Sequence, residues 1–245
     1  MTYFFSYGDD NYKNSKLRIE HEAKMFGFDD IKIYGRQDID EEFLNKTKPY
    51  IDMPRGGGYW LWKPFLLKKT FELMSNNDIC VYADSGCAIN PYGRERFLEY
   101  LSYIDKDPNN SGMLRFICGP KEELFTNQKV FEHFNKGNDE DFKSKYHLMA
   151  TIMIFKKNEN SIDFVNNFYE MAIKNTILFS DYYNEYNKNK DFRDHRHDQS
   201  ISSCLVNLNG KSIILEDETY APDMPGWSNL IYIKKVPFLA TRIRG

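Results

Sequence analysis

One ten-residue segment joins a flexible backbone to aromatic rings and positive charge: from Arg55 it reads Arg-Gly-Gly-Gly-Tyr-Trp-Leu-Trp-Lys-Pro. Consecutive glycines give up packing and conformational entropy, so a folded domain carries them where the backbone turns sharply or approaches a ligand closely. Tyr59 and Trp60 offer flat ring faces there, and Arg55 and Lys63 add a cation at each end. We expect these four residues and Gly56 to bind a planar or phosphorylated ligand. The alternative is a glycine loop that enters a helix whose aromatic rings are core.

An acidic residue follows directly after a strand-like apolar run. Residues 79–83 read Ile-Cys-Val-Tyr-Ala, and Asp84, Ser85 and Gly86 come next. In open α/β sheets the ligand crevice lies just outside the carboxyl ends of the strands, so Asp84 is placed where chemistry usually occurs. The alternative role for Asp84 is a turn residue whose side chain bonds the backbone of Gly86.

A third polar group lies late in the chain, where His-Arg-His-Asp-Gln-Ser occupies positions 195–200 before an apolar helical stripe. A helix N-terminus favours anionic ligands, and this segment concentrates two histidines, an arginine, an acid and an amide there. Asp198 also stands where a helix N-cap belongs, and the two histidines fit a solvated turn before the helix. The density of polar groups favours a functional site over a simple cap.

These three segments, in this order, resemble the GT-A-type glycosyltransferases. The likeness is to small sugar transferases of polysaccharide gene clusters and some large viruses, with a Gly-Tyr-Trp-x-Trp-Lys-Pro segment, a Tyr-x-Asp-x-Gly strand end and a late His-Asp-Gln-Ser. It runs from about Thr2 to Arg244. It implies a single GT-A-like (Rossmann-like) α/β domain over residues 1–245, with a mainly parallel central sheet flanked by helices. Residues 1–118 would form the nucleotide-sugar-binding half and 119–245 the acceptor-side half.

The resemblance also implies an activity: transfer of a hexose-type sugar from a nucleotide diphosphate donor, for which we expect a UDP-sugar, to a carbohydrate or glycan acceptor. Donor contacts are expected at Ser6 and Tyr7, where Tyr7 would stack on uracil, and also at Asp84, Ser85 and Arg242. The catalytic candidates are Asp198, Gln199 and His195. Asp198 and Gln199 would orient the sugar or stabilise its oxocarbenium-like state. The Asp-Gln likeness, and the lack of a second acid placed as a base, favour a retaining outcome.

A leaving diphosphate needs a divalent cation, basic side chains or both. Many GT-A enzymes hold the metal through Asp-x-Asp, but here the third position is Gly86. One carboxylate can still bind Mn²⁺ or Mg²⁺ when diphosphate oxygens and water complete the shell. A nitrogen ligand from His197 or His195 would favour manganese. We therefore expect a metal at Asp84 and His197, and tighter binding of uridine diphosphate with manganese than with a chelator.

Two other function classes remain open. A non-catalytic module that binds a nucleotide sugar or a carbohydrate is supported by Gly86 in place of an acid. A nucleotidyltransferase on a similar sheet is the other. Donor hydrolysis identifies the glycosyltransferase, and pyrophosphate release identifies the nucleotidyltransferase.

Composition sets further bounds. The chain has 245 residues, enough for one α/β domain, and a net charge of −3, which argues against nucleic acid as a partner. Its four cysteines lack C-x-x-C spacing and are expected to be reduced thiols. Without a charged-then-apolar leader or an apolar run of about 18 residues, we expect a soluble cytoplasmic protein with no transmembrane segment. Peripheral association with a membrane that carries a lipid-linked acceptor is compatible with this.

Apolar periodicity predicts the elements that position these motifs. The expected strands are 2–6, 31–34, 79–83, 114–118 and 148–155, and the expected helices are 15–26, 64–75, 94–103 and one capped by Ser161. The early βαβαβ order predicts a largely parallel sheet. Residues 121–145 are polar and predicted to be a surface excursion, and residues 182–193 are predicted to be a mobile loop beside the site.

Overall fold

The computed structural model describes residues 1–187, 189–221 and 235–244. Its main sheet contains the strands β1 (Thr2–Tyr7), β2 (Asp30–Tyr34), β3 (Ile79–Ala83), β5 (Met113–Gly119), β6 (His147–Leu148), β7 (Ile152–Lys156) and β8 (Ile213–Leu215). A small second sheet pairs β4 (Ala88–Ile89) with β9 (Phe238–Leu239). The helices are α1 (Lys13–Phe26), α2 (Glu41–Thr47), α4 (Trp62–Leu73), α5 (Arg94–Asp105), α6 (Gln128–His133), α7 (Glu140–Lys143), α8 (Glu159–Lys174) and α9 (Asp198–Asn209), and the short element α3 (Gly56–Tyr59) is a single turn with positive φ angles.

The main sheet is mixed but mainly parallel. Its order is β2-β1-β3-β7-β5-β6, with β8 also pairing with β5. β1 is parallel to β2 and β3, and β5 is parallel to β8, whereas β7 runs antiparallel to both β3 and β5 and β6 runs antiparallel to β5. Five strands thus share one direction, and the carboxyl ends of β1 and β3 meet at one edge.

Helices cover both faces of the sheet. Side chains along β1 alternate between two cores: Tyr3, Phe5 and Tyr7 pack with α4, α8 and α9, and Phe4 packs with α1 and α5. A strand buried on both faces favours apolar or aromatic residues, which explains the run Tyr3-Phe4-Phe5 in β1; the buried Ser6 satisfies its hydroxyl on the Ala83 carbonyl. The predicted α/β class and helix-flanked sheet are confirmed.

Most predicted elements are confirmed with small shifts at their ends, but three expectations are wrong. The run 148–155 is split, because residues 149–151 leave the ladder between β6 and β7. Ser161 does not cap α8: the Asn158 side chain caps it by accepting from Ser161 N, and the Ser161 hydroxyl accepts from Asn158 N in return. Residues 121–145 are not simply a surface excursion, because Glu122, Phe131 and Phe142 are buried.

Within the described ranges, no helix is long and apolar enough to cross a membrane.

Candidate active site

Three charged side chains converge at the edge of the sheet, and we call Lys63, Asp84 and Asp198 the lysine–aspartate cluster. Lys63 is the second residue of α4, Asp84 follows β3, and Asp198 begins α9. Lys63 Nζ lies 2.5 Å from Asp198 Oδ2 and 3.5 Å from Asp84 Oδ1. The side chains of Lys63 and Asp198 are 2% and 5% exposed, whereas that of Asp84 is 35% exposed. The cluster is therefore buried charge with one carboxylate open to a ligand.

Burial and charge pairing set the protonation of this cluster. Burial raises the pKa of Asp198 to about 6, against the opposing effect of the Lys63 ammonium. Burial alone would lower the pKa of Lys63, but the Asp198 and Asp84 carboxylates raise it above its ordinary value. Near neutral pH Lys63 is thus a cation and Asp198 an anion that titrates close to the working range.

The backbone between β6 and β7 anchors the cluster. Lys63 Nζ donates to the Ala150 carbonyl at 3.0 Å, and Ala150 N donates to Gln199 Oε1 at 3.2 Å. Asp84 N donates to the Thr151 carbonyl at 2.9 Å. Both main-chain polar groups of Ala150 are thus bonded to side chains and make no ladder hydrogen bond, which explains the interruption between β6 and β7, while Met149 N still donates to the Phe116 carbonyl of β5 at 2.8 Å.

Two buried donors near this anchor have no hydrogen-bond partner among the described residues: Gln199 Nε2 and Arg115 Nη1. The Arg115 guanidinium donates through Nη2 to the Met149 carbonyl at 2.7 Å and to Ser202 Oγ at 3.1 Å. An unpaired buried donor costs free energy, so it is a natural position for a ligand acceptor atom. Gln199 is the second residue of α9, directly after Asp198, so its unpaired donor lies beside the cluster.

The three glycines build a left-handed turn. Residues 56–60 all have positive φ, between +53° and +98°, and Tyr59 N donates to the Arg55 carbonyl at 2.7 Å. A left-handed conformation costs about 1–2 kcal/mol for each residue with a Cβ. Glycine at three of the five positions therefore lowers the free-energy cost of the turn. At Gly58 any Cβ would lie 2.4 Å from the Ile51 carbonyl oxygen. The predicted sharp turn is confirmed, and its left-handedness is new.

The two tryptophans beside this turn have different environments. The Trp62 ring is 4% exposed, stacks on Tyr7 with centroids 3.9 Å apart, and donates Nε1–H to the Gly56 carbonyl at 3.0 Å. Trp62 is thus core, and one face of Tyr7, predicted to stack on uracil, is already covered. Trp60 is only partly buried and stacks on His197 with centroids 5.1 Å apart.

Arg55 and His197 tie the turn to the loop before α9. Asp181 accepts from both, with its Oδ2 2.8 Å from Arg55 Nη1 and its Oδ1 3.1 Å from His197 Nε2. Arg55 also lies 3.3 Å from Asp194. Burial lowers the pKa of His197, so its ring is neutral at physiological pH. The sequence offered no signal for Asp181, which lies beside a tyrosine-rich loop.

His195 does not reach the cluster. Its ring is fully buried, Nε2 donates to the Leu178 carbonyl at 2.8 Å, and Nδ1 accepts from Asn127 N at 3.4 Å. Burial lowers its pKa to about 3. With both nitrogens bonded to backbone, this placement gives His195 a structural role instead of a catalytic one.

Asp198 does not take the alternative role of a helix N-cap. α9 begins at Asp198 itself after His197, whose φ is +53°, and no side chain caps the helix. A carboxylate in the first turn still favours the helix dipole. The Asp198 carboxylate turns to the Lys63 ammonium because a buried charge needs a counter-charge.

Ser6 and Ser85, which were predicted to contact the donor, make hydrogen bonds within the protein. Ser6 Oγ is fully buried and donates to the Ala83 carbonyl at 2.7 Å, which ties β1 to β3. The Ser85 carbonyl accepts from Arg18 Nη2 at 2.9 Å. These contacts fix the strand end that carries Asp84.

The residues present do not fit a Mn²⁺ or Mg²⁺ ion held by Asp84 and His197. No three His, Cys, Asp or Glu side chains within the described ranges are grouped to hold a metal. His197 is bonded to Asp181 and stacked on Trp60. Asp84 Oδ1 accepts from the Tyr82 hydroxyl and faces the Lys63 ammonium. A lysine thus occupies the position between two carboxylates where a cation would be expected.

No known protein-family profile and no curated protein sequence matches the chain. Among solved structures, it is similar to a glycosyltransferase involved in glycosylation of the major capsid of PBCV-1, with 10% identity, a TM-score of 0.52, and coverage of 97% of this chain and 91% of that one. It also aligns with galactosyltransferase LgtC in complex with donor and acceptor sugar analogues, at 13% identity and a TM-score of 0.42, over 98% of this chain and 86% of that one. Mouse xyloside xylosyltransferase 1 aligns at 11% identity and a TM-score of 0.47, over 98% of this chain and 97% of that one. The first similarity, together with the sheet order, shows that the chain has a GT-A-like glycosyltransferase fold.

Proposed function

We propose that this protein is a glycosyltransferase that moves a hexose-type sugar from a nucleotide diphosphate donor, with a UDP-sugar as the first candidate, to a carbohydrate acceptor. The observation that carries the proposal is the lysine–aspartate cluster at the carboxyl end of β3. In an α/β sheet this edge is where ligands bind. An open carboxylate, a buried carboxylate and a free amide donor together suit the many hydroxyl groups of a sugar.

In this proposal Asp84 accepts from donor hydroxyl groups at the open side of the cluster, and Gln199 Nε2 donates to a sugar oxygen. The bond between the anomeric carbon and the diphosphate oxygen breaks, and positive charge develops on the sugar. Asp198, fixed by Lys63 at 2.5 Å, stabilises that charge. The acceptor hydroxyl forms the new bond to the anomeric carbon and passes its proton to the departing diphosphate, which gives a retaining outcome.

The left-handed turn forms the rim of the proposed donor site. Gly56, Tyr59 and Trp60 lie on it, and the partly exposed Trp60 ring offers a face for a base or a sugar. Arg55 acts by holding the turn to Asp181 and Asp194. Tyr7 contributes its edge, since Trp62 covers one ring face.

The test is release of nucleoside diphosphate from UDP-glucose, UDP-galactose and GDP-mannose by the full chain, with an Asp198→Asn variant as the control for contaminating activity. We expect slow hydrolysis of one donor that the variant lacks. A donor that binds without release of nucleoside diphosphate would favour the second candidate, a non-catalytic binding module. The observation behind this candidate is Gly86, which stands where a second acid is expected. Release of pyrophosphate from a nucleoside triphosphate and a sugar phosphate would instead identify a nucleotidyltransferase.

A further inference from the structure

The lysine–aspartate cluster does not fit a divalent cation, and this bears on how the donor of the proposed function, on which the inference rests, is bound. We infer that the donor diphosphate is bound by the guanidinium of Arg242, with Lys63 as the resident cation behind Asp84, so that donor binding needs no divalent metal. Two independent features of the described residues support this.

The first feature is the charge already present at Asp84. A magnesium or manganese ion binds a carboxylate oxygen at about 2.0–2.2 Å, so an ion on Oδ1 would lie within about 6 Å of the Lys63 ammonium. Lys63 is protonated and cannot move away, because its side chain is buried and bonded to Asp198 and to the Ala150 carbonyl. Repulsion in this partly buried position opposes a second cation.

The second feature is the segment that lies beside Gly86, the residue that replaces the second acid of an Asp-x-Asp motif. A Cβ on Gly86 would point at the last described segment, with Arg242 Cα at 3.4 Å and the Thr241 carbonyl oxygen at 3.5 Å. That segment is fastened here, because the Gly86 carbonyl accepts from Ile243 N at 3.0 Å and from Thr241 Oγ1 at 2.6 Å. The backbone of Arg242, an exposed residue, therefore lies next to the position where the side chain of a second acid would begin.

An arginine in this position has the chemistry to replace the metal for binding. Its guanidinium is always charged and can donate two parallel hydrogen bonds to phosphate oxygens. The residues outside the described ranges add one candidate metal ligand, Asp223, since they contain no other Asp and no Glu, His or Cys. Asp223 is therefore included in the test.

The test is calorimetric titration of the full chain with UDP and with GDP, each in saturating manganese and in excess chelator. We expect the dissociation constant of the bound nucleotide to agree within about twofold between the two conditions. Arg242→Ala should weaken binding by about 10- to 100-fold in both, the value of a charged hydrogen bond, and Arg242→Lys should recover part of it. The matched control is Arg244→Ala, two residues away and beside the Tyr12 ring, which should change binding by less than about twofold.

Manganese that tightens binding tenfold or more, with the gain lost in Asp84→Asn or Asp223→Asn, would overturn the inference and leave the proposed function standing. Arg242→Ala binding as tightly as the wild type in chelator would also overturn it. If neither UDP nor GDP binds in manganese or in chelator, the inference is rejected together with the proposed nucleotide donor.

Discussion

Two clusters of buried charged residues contact the buried face of α9, and they differ in whether one of their carboxylates reaches solvent. The lysine–aspartate cluster uses the first residue of the helix, Asp198. The second, which we call the glutamate cluster, is formed by Glu122 with partners that include Ser203 and Asn207 on the same helix.

The glutamate cluster is closed to solvent, although one of its atoms, His147 Nε2, is buried without a hydrogen-bond partner among the described residues. Glu122 is fully buried, and each carboxylate oxygen has two partners: Oε1 accepts from Ser203 Oγ and Asn207 Nδ2, and Oε2 from Thr126 Oγ1 at 3.1 Å and from His147 Nδ1 at 2.7 Å. The lysine–aspartate cluster, by contrast, has one exposed carboxylate and a buried amide donor without a partner nearby in the described structure. Buried charge alone does not indicate function; unused bonding capacity next to solvent does.

The largest effect is expected from removing the cation. Lys63→Met leaves the buried Asp198 carboxylate unpaired, so we expect the free energy of unfolding to fall by about 3–5 kcal/mol. Urea denaturation measures this. Lys68→Met on the same helix, which removes a surface lysine, is the control and should cost less than about 1 kcal/mol. A similar small loss for Lys63→Met would mean that the cluster is not a buried ion pair.

The next largest effect separates charge from shape. Asp198→Asn keeps an acceptor for Lys63 but removes the negative charge, so we expect turnover to fall by about 100-fold with donor affinity little changed. Steady-state kinetics on the active donor measure both. Near-normal turnover in this variant would remove Asp198 from the catalytic machinery.

The same change in the closed cluster should act on stability alone. Glu122→Gln disturbs a satisfied hydrogen-bond network, so we expect a loss of about 1–3 kcal/mol in unfolding free energy. Turnover of the folded variant should stay within about twofold of the wild type, because the residues of this cluster are buried and present no atom to a ligand that arrives from solvent. If turnover fell as far as in Asp198→Asn, the distinction between the two clusters would be lost.

The smallest effect is a pH dependence. Because burial raises the Asp198 pKa from 3.8 to about 6, protonation below that pH removes the charge, and kcat/KM should fall about tenfold per pH unit. Stability changes in the opposite sense. The folded state binds more protons than the unfolded state between about pH 4 and 6, so this group's contribution to stability is lost as pH rises through about 6. A flat kcat/KM from pH 5 to 8 would contradict the assignment.

Apolar runs were sufficient to predict the central strands of the sheet, since β3 and most of β1 are apolar or aromatic and buried on both faces. They were not sufficient for residues 121–145. Their charged composition is typical of a surface, but Glu122 is buried by partners up to 85 positions away in sequence. No local pattern reports such partners.

The members of the site were predictable, and their roles were less so. Lys63, Asp84 and Asp198 all stood out by type and by position at element ends. Asp198 and His195 were both expected to be catalytic, with a helix cap as the alternative for Asp198, because sequence spacing cannot show that one contacts a buried lysine and the other two backbone groups.

By itself the sequence determined the local devices of this protein. Three glycines permit a left-handed turn because they lack a Cβ, a strand that ends in an acid places charge at the sheet edge, and a glycine stands where a second acid is expected. Only the tertiary structure decided which charges meet. Lys63 and Asp198 are 135 positions apart, and the segment that carries Arg242 lies on Gly86 through bonds between residues more than 150 positions apart. These pairings depend on how the sheet brings distant element ends together, because the energy of a buried charge is set by its neighbours in space.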